Sequence, residues 1–294
     1  MTEYLAATRS VAWADFSARE QLRVTGPDRV SFVHGMVTND VTGLAEGATC
    51  VVTMLTAKGA MVGDGRVLKL ADSVIVDTGA GHGAAVKAFL EKYLISEDAE
   101  IHQASDLAVV GLIGPSANVS LIAGQVVVAT MPGSLGSGVD VLVRRDQLQA
   151  VHASLAGVPQ VGAQTLEVLR VEAGVPLFGA DMTETTIPLE ANLEKAIHYN
   201  KGCYIGQEVI ARATYRGQMN KKLMGLLLGE HVLERGTELF KAEKRVGRVT
   251  SVVRSEKAKQ LIALAYVQRD HLAPGTVLEL TGYAGTVTVA SLPF

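Results

Sequence analysis

The sequence predicts an α+β protein with a separate β-rich carboxy-terminal part, and three observations support this prediction. Apolar runs such as CVVTML and RVLKL flank a short glycine turn, as in an antiparallel meander. Single helical segments follow the strands, which favours split βαβ units over a uniform parallel sheet. From about residue 219 the runs are short, β-rich and closely spaced, as in a small antiparallel barrel. We therefore expect an α+β body of two intertwined subdomains over residues 1–212 and a β-barrel over residues 219–294.

The individual elements follow from periodicity. The stretch QLRVTGPDRVSFVHGMVTND contains a strand over 22–25, a Gly-Pro-Asp turn, and then apolar residues at helical spacing through 37. Further strands are predicted over 50–55, 66–70, 73–77, 107–113, 126–130 and 139–143. Helical segments are predicted over 84–94, 117–122 and 146–155.

Composition bounds the class of protein. The 294 residues are 48% hydrophobic and 19% charged, which is the range of ordinary globular proteins. The amino terminus lacks a basic region followed by an apolar run, and no apolar stretch approaches the roughly 20 residues of a membrane helix. We expect a cytoplasmic protein without a membrane partner.

Charge is distributed unevenly along the chain. The net charge of −3 combines an acidic part with a basic part over residues 211–294. The basic part lacks the clustered aromatic residues of a base-stacking platform. We therefore expect no direct binding of nucleic acid.

The chain has two cysteines, Cys50 and Cys203, too few for a disulfide framework, and they lack the spacing of a zinc site. Cys50 lies in an apolar strand, which favours packing. Cys203 follows an Asn-Lys-Gly turn and precedes a helix predicted from Gln207 to Tyr215. Helix amides and the ammonium of Lys201 favour a reactive thiolate there, and a buried structural cysteine is the alternative.

Residues 201–208, KGCYIGQE, resemble the signature of the YgfZ-type folate-binding proteins, which are relatives of the glycine cleavage T-protein (GcvT). Four further segments resemble this family: TNDV at 38–41, the glycine-containing hairpin at 55–64, RVEAGVP at 170–176 and IPLEA at 187–191. The resemblance implies a GcvT-like folate-binding body with a carboxy-terminal barrel. The implied cofactor is tetrahydrofolate or a one-carbon derivative.

The resemblance also implies a function. YgfZ-type proteins assist the assembly or repair of iron-sulfur enzymes and thereby tRNA modification, so the implied partners are iron-sulfur client or assembly proteins, and Cys203 is the implied functional thiol. The alternative is aminomethyl transfer to or from tetrahydrofolate, as in the T-protein.

Two carboxylates are implied folate ligands. In the family, the glutamate at the position of Glu172 accepts two hydrogen bonds from the pterin. Without the resemblance, an ion pair with Arg170 is the alternative for this residue. T-proteins carry two adjacent acids in the early hairpin to position the reacting nitrogen, whereas this sequence has Gly63 and Asp64. A turn residue is the alternative for Asp64.

Two basic residues complete the candidates for cofactor binding. Arg212 begins a basic run and suits the carboxylates of a glutamyl tail, with a solvated linker as the alternative. Lys201, in the signature itself, is the second. No metal ligands are predicted.

A third class of function rests on the loop at 79–84, which fits the G-x-G-x-x-A pattern between a strand and a helix. A nucleotide-dependent oxidoreductase is therefore the remaining alternative, although the strands before this loop form a meander. Glycine-rich turns also occur at such places for backbone reasons alone.

Overall fold

The computed structural model describes residues 2–122, 127–216, 219–280 and 285–294. Two compact units divide the chain: Met1–Gly162 with Lys195–Val209, and Ala163–Glu194 with Ile210–Phe294. Residues 163–194 therefore group with the barrel, so the compact units do not follow the predicted division into residues 1–212 and 219–294. The physical reason is the packing of a helix from this segment on two barrel strands, described below.

The first unit contains two antiparallel sheets. Its helices are α1 (Glu3–Arg9), α2 (Arg29–Met36), α3 (Gly83–Tyr93) and α4 (Leu148–Ser154). Its strands are β1 (Ala12–Asp15), β2 (Glu20–Thr25), β3 (Thr49–Leu55), β4 (Met61–Lys69), β5 (Val74–Thr78), β6 (Glu100–Gln103), β7 (Leu107–Ile113), β8 (Val127–Pro132) and β9 (Val139–Arg144). The strand orders are β3-β4-β5-β2-β6 and β1-β7-β9-β8.

Apolar packing arranges this unit in layers. Helices α2 and α3 cover one face of the five-stranded sheet through buried residues that include Phe32, Val33 and Leu90. The other face packs on the four-stranded sheet, with Ile75 and Leu142 in the shared cluster. Helix α4 covers the outer face of the four-stranded sheet. Each sheet thus has both faces buried, which explains the nearly continuous apolar strands of the sequence.

A buried charge network also joins the two sheets. The guanidinium of Arg66 on β4 donates to Asp77 on β5 at 2.6 Å and to Asp140 on β9 at 2.6 Å. Arg19 and Gln21 donate to the same Asp77 carboxylate at 2.8 Å. Burial opposes ionisation, but Arg19 and Arg66 hold the pKa of Asp77 below its usual value. These contacts satisfy charges that would be costly to bury alone.

The glycine loop after β5 does not have the setting of a dinucleotide site. Strand β5 pairs antiparallel with both neighbours, whereas a Rossmann unit needs parallel strands. The amide of Gly83, at the start of α3, donates to the carboxylate of Glu20 at 2.9 Å. A side chain of the protein therefore takes the position where a phosphate would accept from the helix, and the structure does not favour the oxidoreductase alternative.

The second unit consists of a helix packed on a closed barrel. Helix α5 (Ala163–Glu172) precedes α6 (Gln207–Arg216), which spans the boundary between the units. The barrel strands are β10 (Lys221–Gly229), β11 (Glu238–Lys241), β12 (Lys244–Ser255), β13 (Gln260–Gln268), β14 (Val277–Leu280) and β15 (Thr286–Ala290), closed in the order β10-β13-β12-β11-β14-β15. Val171 of α5 is buried against Val253 and Ile262 of the barrel. The predicted α+β class with an antiparallel carboxy-terminal barrel is confirmed.

Prediction missed the elements whose pattern is short or polar. Helices α1 and α5 and strands β1 and β6 were not predicted. Strand β6 has the burial pattern of an exposed edge strand with one inward residue, Ile101. The segment predicted as a helix over 117–122 contains a single 3-10 turn, Val119–Ile122. The first residue of the strand predicted over 126–130 lies outside the described residues.

A pair of glycine substitutions tests the sheet packing. A Cβ added to Gly65 of β4 would lie 2.3 Å from the carbonyl oxygen of Asp77, whereas one added to Gly35 of α2 meets nothing within 4 Å. We expect Gly65→Ala to destabilise the protein by about 1–3 kcal/mol. We expect Gly35→Ala to stabilise it by up to ~1 kcal/mol, because alanine favours the helix. Urea unfolding followed by circular dichroism measures both, and equal effects would contradict the described packing.

Candidate functional site

The signature segment lies in the first unit, where Lys201 fixes it to the end of α2. The Lys201 ammonium donates to the carbonyl oxygens of Val37 and Asn39 at 2.6 and 2.9 Å, and also to that of His34. In return, Nε2 of His34 contacts the carbonyl oxygen of Lys201 at 3.0 Å. Nδ1 of the same ring lies 3.3 Å from the amide nitrogen of Val41 and 3.2 Å from the carboxylate of Asp40. The lysine and the histidine therefore hold each other's backbone.

Lys201 is 8% exposed and all three of its N–H donors have carbonyl partners. Burial lowers the pKa of Lys201 to about 8, while the negative charge of Asp40 favours the ammonium. Tyr204 places its ring 5.0 Å from the ammonium nitrogen. A contact between Lys201 and a cofactor would have to replace one of the carbonyls, so its predicted role in binding stays a prediction.

Cys203 is exposed, in the loop between Lys201 and helix α6. Two residues after Cys203, the amide of Ile205 donates to the carbonyl of Gly35 at 3.2 Å. Helix α6 begins at Gln207, so Cys203 lies outside its first turn, and the expected effect of the helix amides on the thiol requires a closer position. The exposure excludes the alternative of a buried structural cysteine for Cys203.

Cys50 has the packing role that its strand predicts. Its side chain is partly buried beside the core of the five-stranded sheet. Burial raises the pKa of the Cys50 thiol to about 11, which disfavours the thiolate at neutral pH. Of the two thiols, Cys203 is thus the one accessible to another molecule.

Asp64 lies on β4 between two glycines, opposite Thr53 of β3. Its side chain is partly buried. Burial raises the pKa of the carboxyl, although the charges of Arg19 and His82 oppose the shift. Among the described residues, no other residue is found to donate a hydrogen bond to this carboxylate. Because Asp64 lies within a strand, the alternative of a turn residue does not apply.

Glu172 ends helix α5 in the second unit and is 6% exposed. Its Oε1 accepts from the hydroxyl of Ser255 at 2.6 Å and from the amide of Lys257 at 3.1 Å. Arg170 pairs instead with Asp181 at 2.6 Å, so the expected alternative of an ion pair between Arg170 and Glu172 is not formed. These two contacts hold the Glu172 carboxylate in place at the end of α5.

Arg212 is exposed on α6, in the second unit. Of the rest of the basic run, the side chain of Arg216 lies outside the described part of the chain. Lys221 and Lys222 begin β10 and form ion pairs with Glu190 and Glu194 at 3.5 and 3.1 Å. The predicted contact of Arg212 with a glutamyl tail remains a prediction.

Sequence reasoning assigned no role to Glu190, although it lies in the IPLEA segment. The residue is 6% exposed, and burial raises the pKa of its carboxyl while Lys221 opposes the shift. Lys221 also lies 4.9 Å over the ring of Tyr266. The sequence signal was the single glutamate in an otherwise apolar run. Its ion-pair partner, Lys221, lies at the start of β10 and could not be read from the segment.

The described residues contain no group of three or more His, Cys, Asp and Glu side chains that could hold a metal ion. In the same part of the chain, no helix is long and apolar enough to cross a membrane. Asp64, Lys201 and Cys203 belong to the first unit, and Glu172 and Arg212 belong to the second.

Comparison of folds identifies the class of protein. The crystal structure of the glycine cleavage system aminomethyltransferase T from Bartonella henselae matches with a TM-score of 0.87 at 23% identity, covering 99% of this chain and 88% of that one. Residues 1–127 match the GCVT N-terminal domain, and residues 221–294 match the glycine cleavage T-protein C-terminal barrel domain. Because these two domains together cover more than half of the sequence, the chain belongs to the GcvT-like family.

Similar curated proteins are named aminomethyltransferase. The one from Thermotoga petrophila is 27% identical over 319 residues, covering 98% of this chain and 86% of the relative. The one from Thermotoga maritima is 27% identical over 298 residues, covering 91% and 81%. Membership of this family agrees with the predicted cofactor class, tetrahydrofolate or a one-carbon derivative. The finer resemblance to the YgfZ-type proteins rests on residues 201–208.

The environment of Asp64 predicts a dependence of stability on pH. Burial raises its pKa in the folded protein, so the folded state binds this proton more tightly and the free energy of unfolding falls as pH rises above the unfolded value of ~3.9. We expect Asp64→Asn to stabilise the protein at pH 7 by on the order of 1 kcal/mol. The gain should shrink toward pH 4, where the wild-type carboxyl is protonated.

Urea unfolding at pH 7, 5.5 and 4.5 measures this effect, with Asp72→Asn as an exposed control. A gain that is the same at every pH would show that packing, and not ionisation, distinguishes the variant.

Proposed function

We propose that this protein binds tetrahydrofolate or a one-carbon derivative and acts in folate-linked one-carbon transfer of the aminomethyltransferase type. The observation that carries the proposal is the carboxyl of Asp64, which is partly buried and has a raised pKa. Such a carboxyl is suited to accept a proton from a reacting nitrogen, because burial makes its carboxylate more basic. Curated relatives that match over most of their length support the reaction class through their names.

Binding is assigned to Glu172. A pterin presents an amino group and a ring N–H side by side, both of them donors, and a carboxylate accepts such a pair in a charge-assisted contact. The Ser255 hydroxyl and the Lys257 amide already fix one oxygen of Glu172, so its position is set before a ligand arrives. Preorganisation of this kind lowers the entropy cost of binding.

Asp64 is assigned the chemical step. Tetrahydrofolate supplies the nitrogen that carries the one-carbon unit. The nitrogen would form a bond to the one-carbon unit while the bond from that carbon to its donor group breaks and the electron pair leaves with the donor. The Asp64 carboxylate would accept a hydrogen bond from the nitrogen and then take the proton that the nitrogen loses. Since burial makes this carboxylate a stronger base than an exposed aspartate, the proton transfer is favoured without a second acid at Gly63.

Calorimetric titration with tetrahydrofolate and its 5-formyl derivative tests the binding assignment. We expect saturable binding that weakens at least tenfold, about 1.4 kcal/mol, in Glu172→Gln, because the amide cannot accept both donors. Glu256→Gln, at an exposed glutamate next to Ser255, should bind as the wild type does. Equal affinity in all three folded proteins would contradict the role of Glu172.

Transfer kinetics test the role of Asp64. With an aminomethyl-lipoyl carrier and tetrahydrofolate as substrates, Asp64→Asn should lower kcat by about 10²–10⁴-fold while folate affinity stays within a few-fold. A wild-type protein that binds folate but shows no transfer would remove the reaction class and leave the binding proposal intact.

A second candidate function follows from the exposure of Cys203. We infer that this thiol assists the assembly or repair of iron-sulfur enzymes and thereby tRNA modification, as the KGCYIGQE signature implies. Two cysteines cannot build a permanent cluster with four cysteine ligands, so the thiol would act transiently on a client protein. The expected partners are iron-sulfur client or assembly proteins, in addition to the folate.

Complementation separates the two candidates. In cells lacking the gene, activity of iron-sulfur enzymes should return with the wild type and with Cys50→Ala, and should not return with Cys203→Ala. Aminomethyl transfer in vitro should survive Cys203→Ala, because that reaction uses Asp64. Restoration of iron-sulfur activity by Cys203→Ala would exclude the thiol from this role.

A further inference from the structure

The buried ammonium of Lys201 makes contacts that the proposed chemistry does not use. A helix leaves the carbonyl oxygens of its last turn without partners, and its carboxy-terminal end carries partial negative charge. Helix α2 ends at Met36, and the ammonium lies on the carbonyl of His34 within the helix and on those of Val37 and Asn39 beyond it. A lysine that is more than 160 residues away in sequence thus caps this helix.

Contacts with α2 lie on both sides of Cys203 in the sequence. Two residues before it, Lys201 is bound through its side chain and through its own carbonyl, which contacts His34. Two residues after it, Ile205 donates its amide to Gly35 of the same helix. Between these anchors Gly202 and Cys203 are both exposed, and Gly202 has a φ of 88°, which is favourable only for glycine. The exposed residues 202–203 are therefore held on both sides by contacts with the carboxy-terminal end of α2.

We propose that Lys201 is a positioning residue that holds the thiol of Cys203 at a fixed place on the surface by capping α2. This proposal rests on the proposed role of the Cys203 thiol, and it assigns the lysine a task separate from folate binding. At neutral pH the ammonium supplies three N–H donors from one nitrogen, and the three carbonyls accept all of them. The partial negative charge of the helix end and the carboxylate of Asp40 offset the cost of burying the positive charge.

The geometry is specific to lysine. A methionine has nearly the same length and volume but no donor, so it would leave three carbonyls without partners. An arginine spreads its donors over a planar fork and cannot direct three N–H groups from one nitrogen. We expect neither side chain to restore the fixed position of residues 202–203 fully. Arginine should restore more of it than methionine, because arginine keeps the charge.

Spin labelling tests the proposal directly. Because the chain has two cysteines, Cys50→Ala leaves Cys203 as the single thiol for a nitroxide. The label should give a spectrum with one ordered component in this background and a second, mobile component after Lys201→Met. Lys195→Met is the matched control, because Lys195 lies in the same segment with an exposed side chain. Identical spectra for all three proteins would overturn the proposal.

Chemical rescue shows whether the ammonium itself is responsible. In Lys201→Ala, n-propylammonium can occupy the space left by the side chain and donate to the same carbonyls, whereas n-propanol supplies a single donor and no charge. We expect the amine, and not the alcohol, to restore the ordered spectrum. If Lys201→Ala does not fold alone, recovery of its circular dichroism by the amine supports the cap, and absence of recovery contradicts it.

The outcomes distinguish the cap from the proposed function. The spectra require neither folate nor a client, so failure of folate binding would leave them unchanged. A mobile label in Lys201→Met together with full restoration of iron-sulfur enzyme activity would show that the lysine orders the loop but that the function does not need the order.

Discussion

The position of Arg66 between Asp77 and Asp140 is the contact on which the first unit depends. These carboxylates come from different sheets, and all three side chains are at most 5% exposed. Removing one partner would leave a buried charge uncompensated, which costs about 3–5 kcal/mol in comparable cases. Asp64 lies two residues before Arg66 on the same strand, so both side chains point to the same face. Asp64 thus lies on the face of the five-stranded sheet that carries the charge network.

The second unit uses a similar arrangement at its own helix. Arg170 on α5 binds Asp181 at 2.6 Å and the hydroxyl of Ser251 on β12 at 2.8 Å. Two residues later Glu172 binds Ser255, farther along the same strand. Arg170 and Glu172 on α5 thus place two buried charges of opposite sign against the same barrel strand, β12. The arginine binds a carboxylate and a hydroxyl, and the glutamate binds a hydroxyl and a backbone amide, so both charges have partners within the unit.

Sequence reasoning reached the fold because the apolar periods of most strands and helices are strong, and because the β-rich pattern changes near residue 219. It did not find β6, whose exposed face is polar, or the grouping of residues 163–194 with the barrel, which depends on where α5 packs. Motifs identified the candidate residues, but they could not show the burial, the contact partners or the pKa shifts of these residues. Lys201 was expected near a ligand or a thiolate, and its partners at 34–39 are distant in sequence. The raised pKa of Asp64 likewise comes from burial, which no local pattern encodes.

The two candidate functions make different demands on the same chain. One-carbon transfer needs a carboxylate whose basicity is raised and a second carboxylate that anchors a pterin, and both carboxylates are buried or partly buried. A thiol that acts on a client needs exposure and a defined position. Cys203 is exposed in its loop, and the contacts of Lys201 and Ile205 with α2 define its position. None of these requirements conflicts with another, because the carboxylates and the thiol are set by separate contacts. Under the two proposals, the carboxylates would serve folate chemistry and the loop that contains Cys203 would present a surface thiol, so loss of either function need not remove the other.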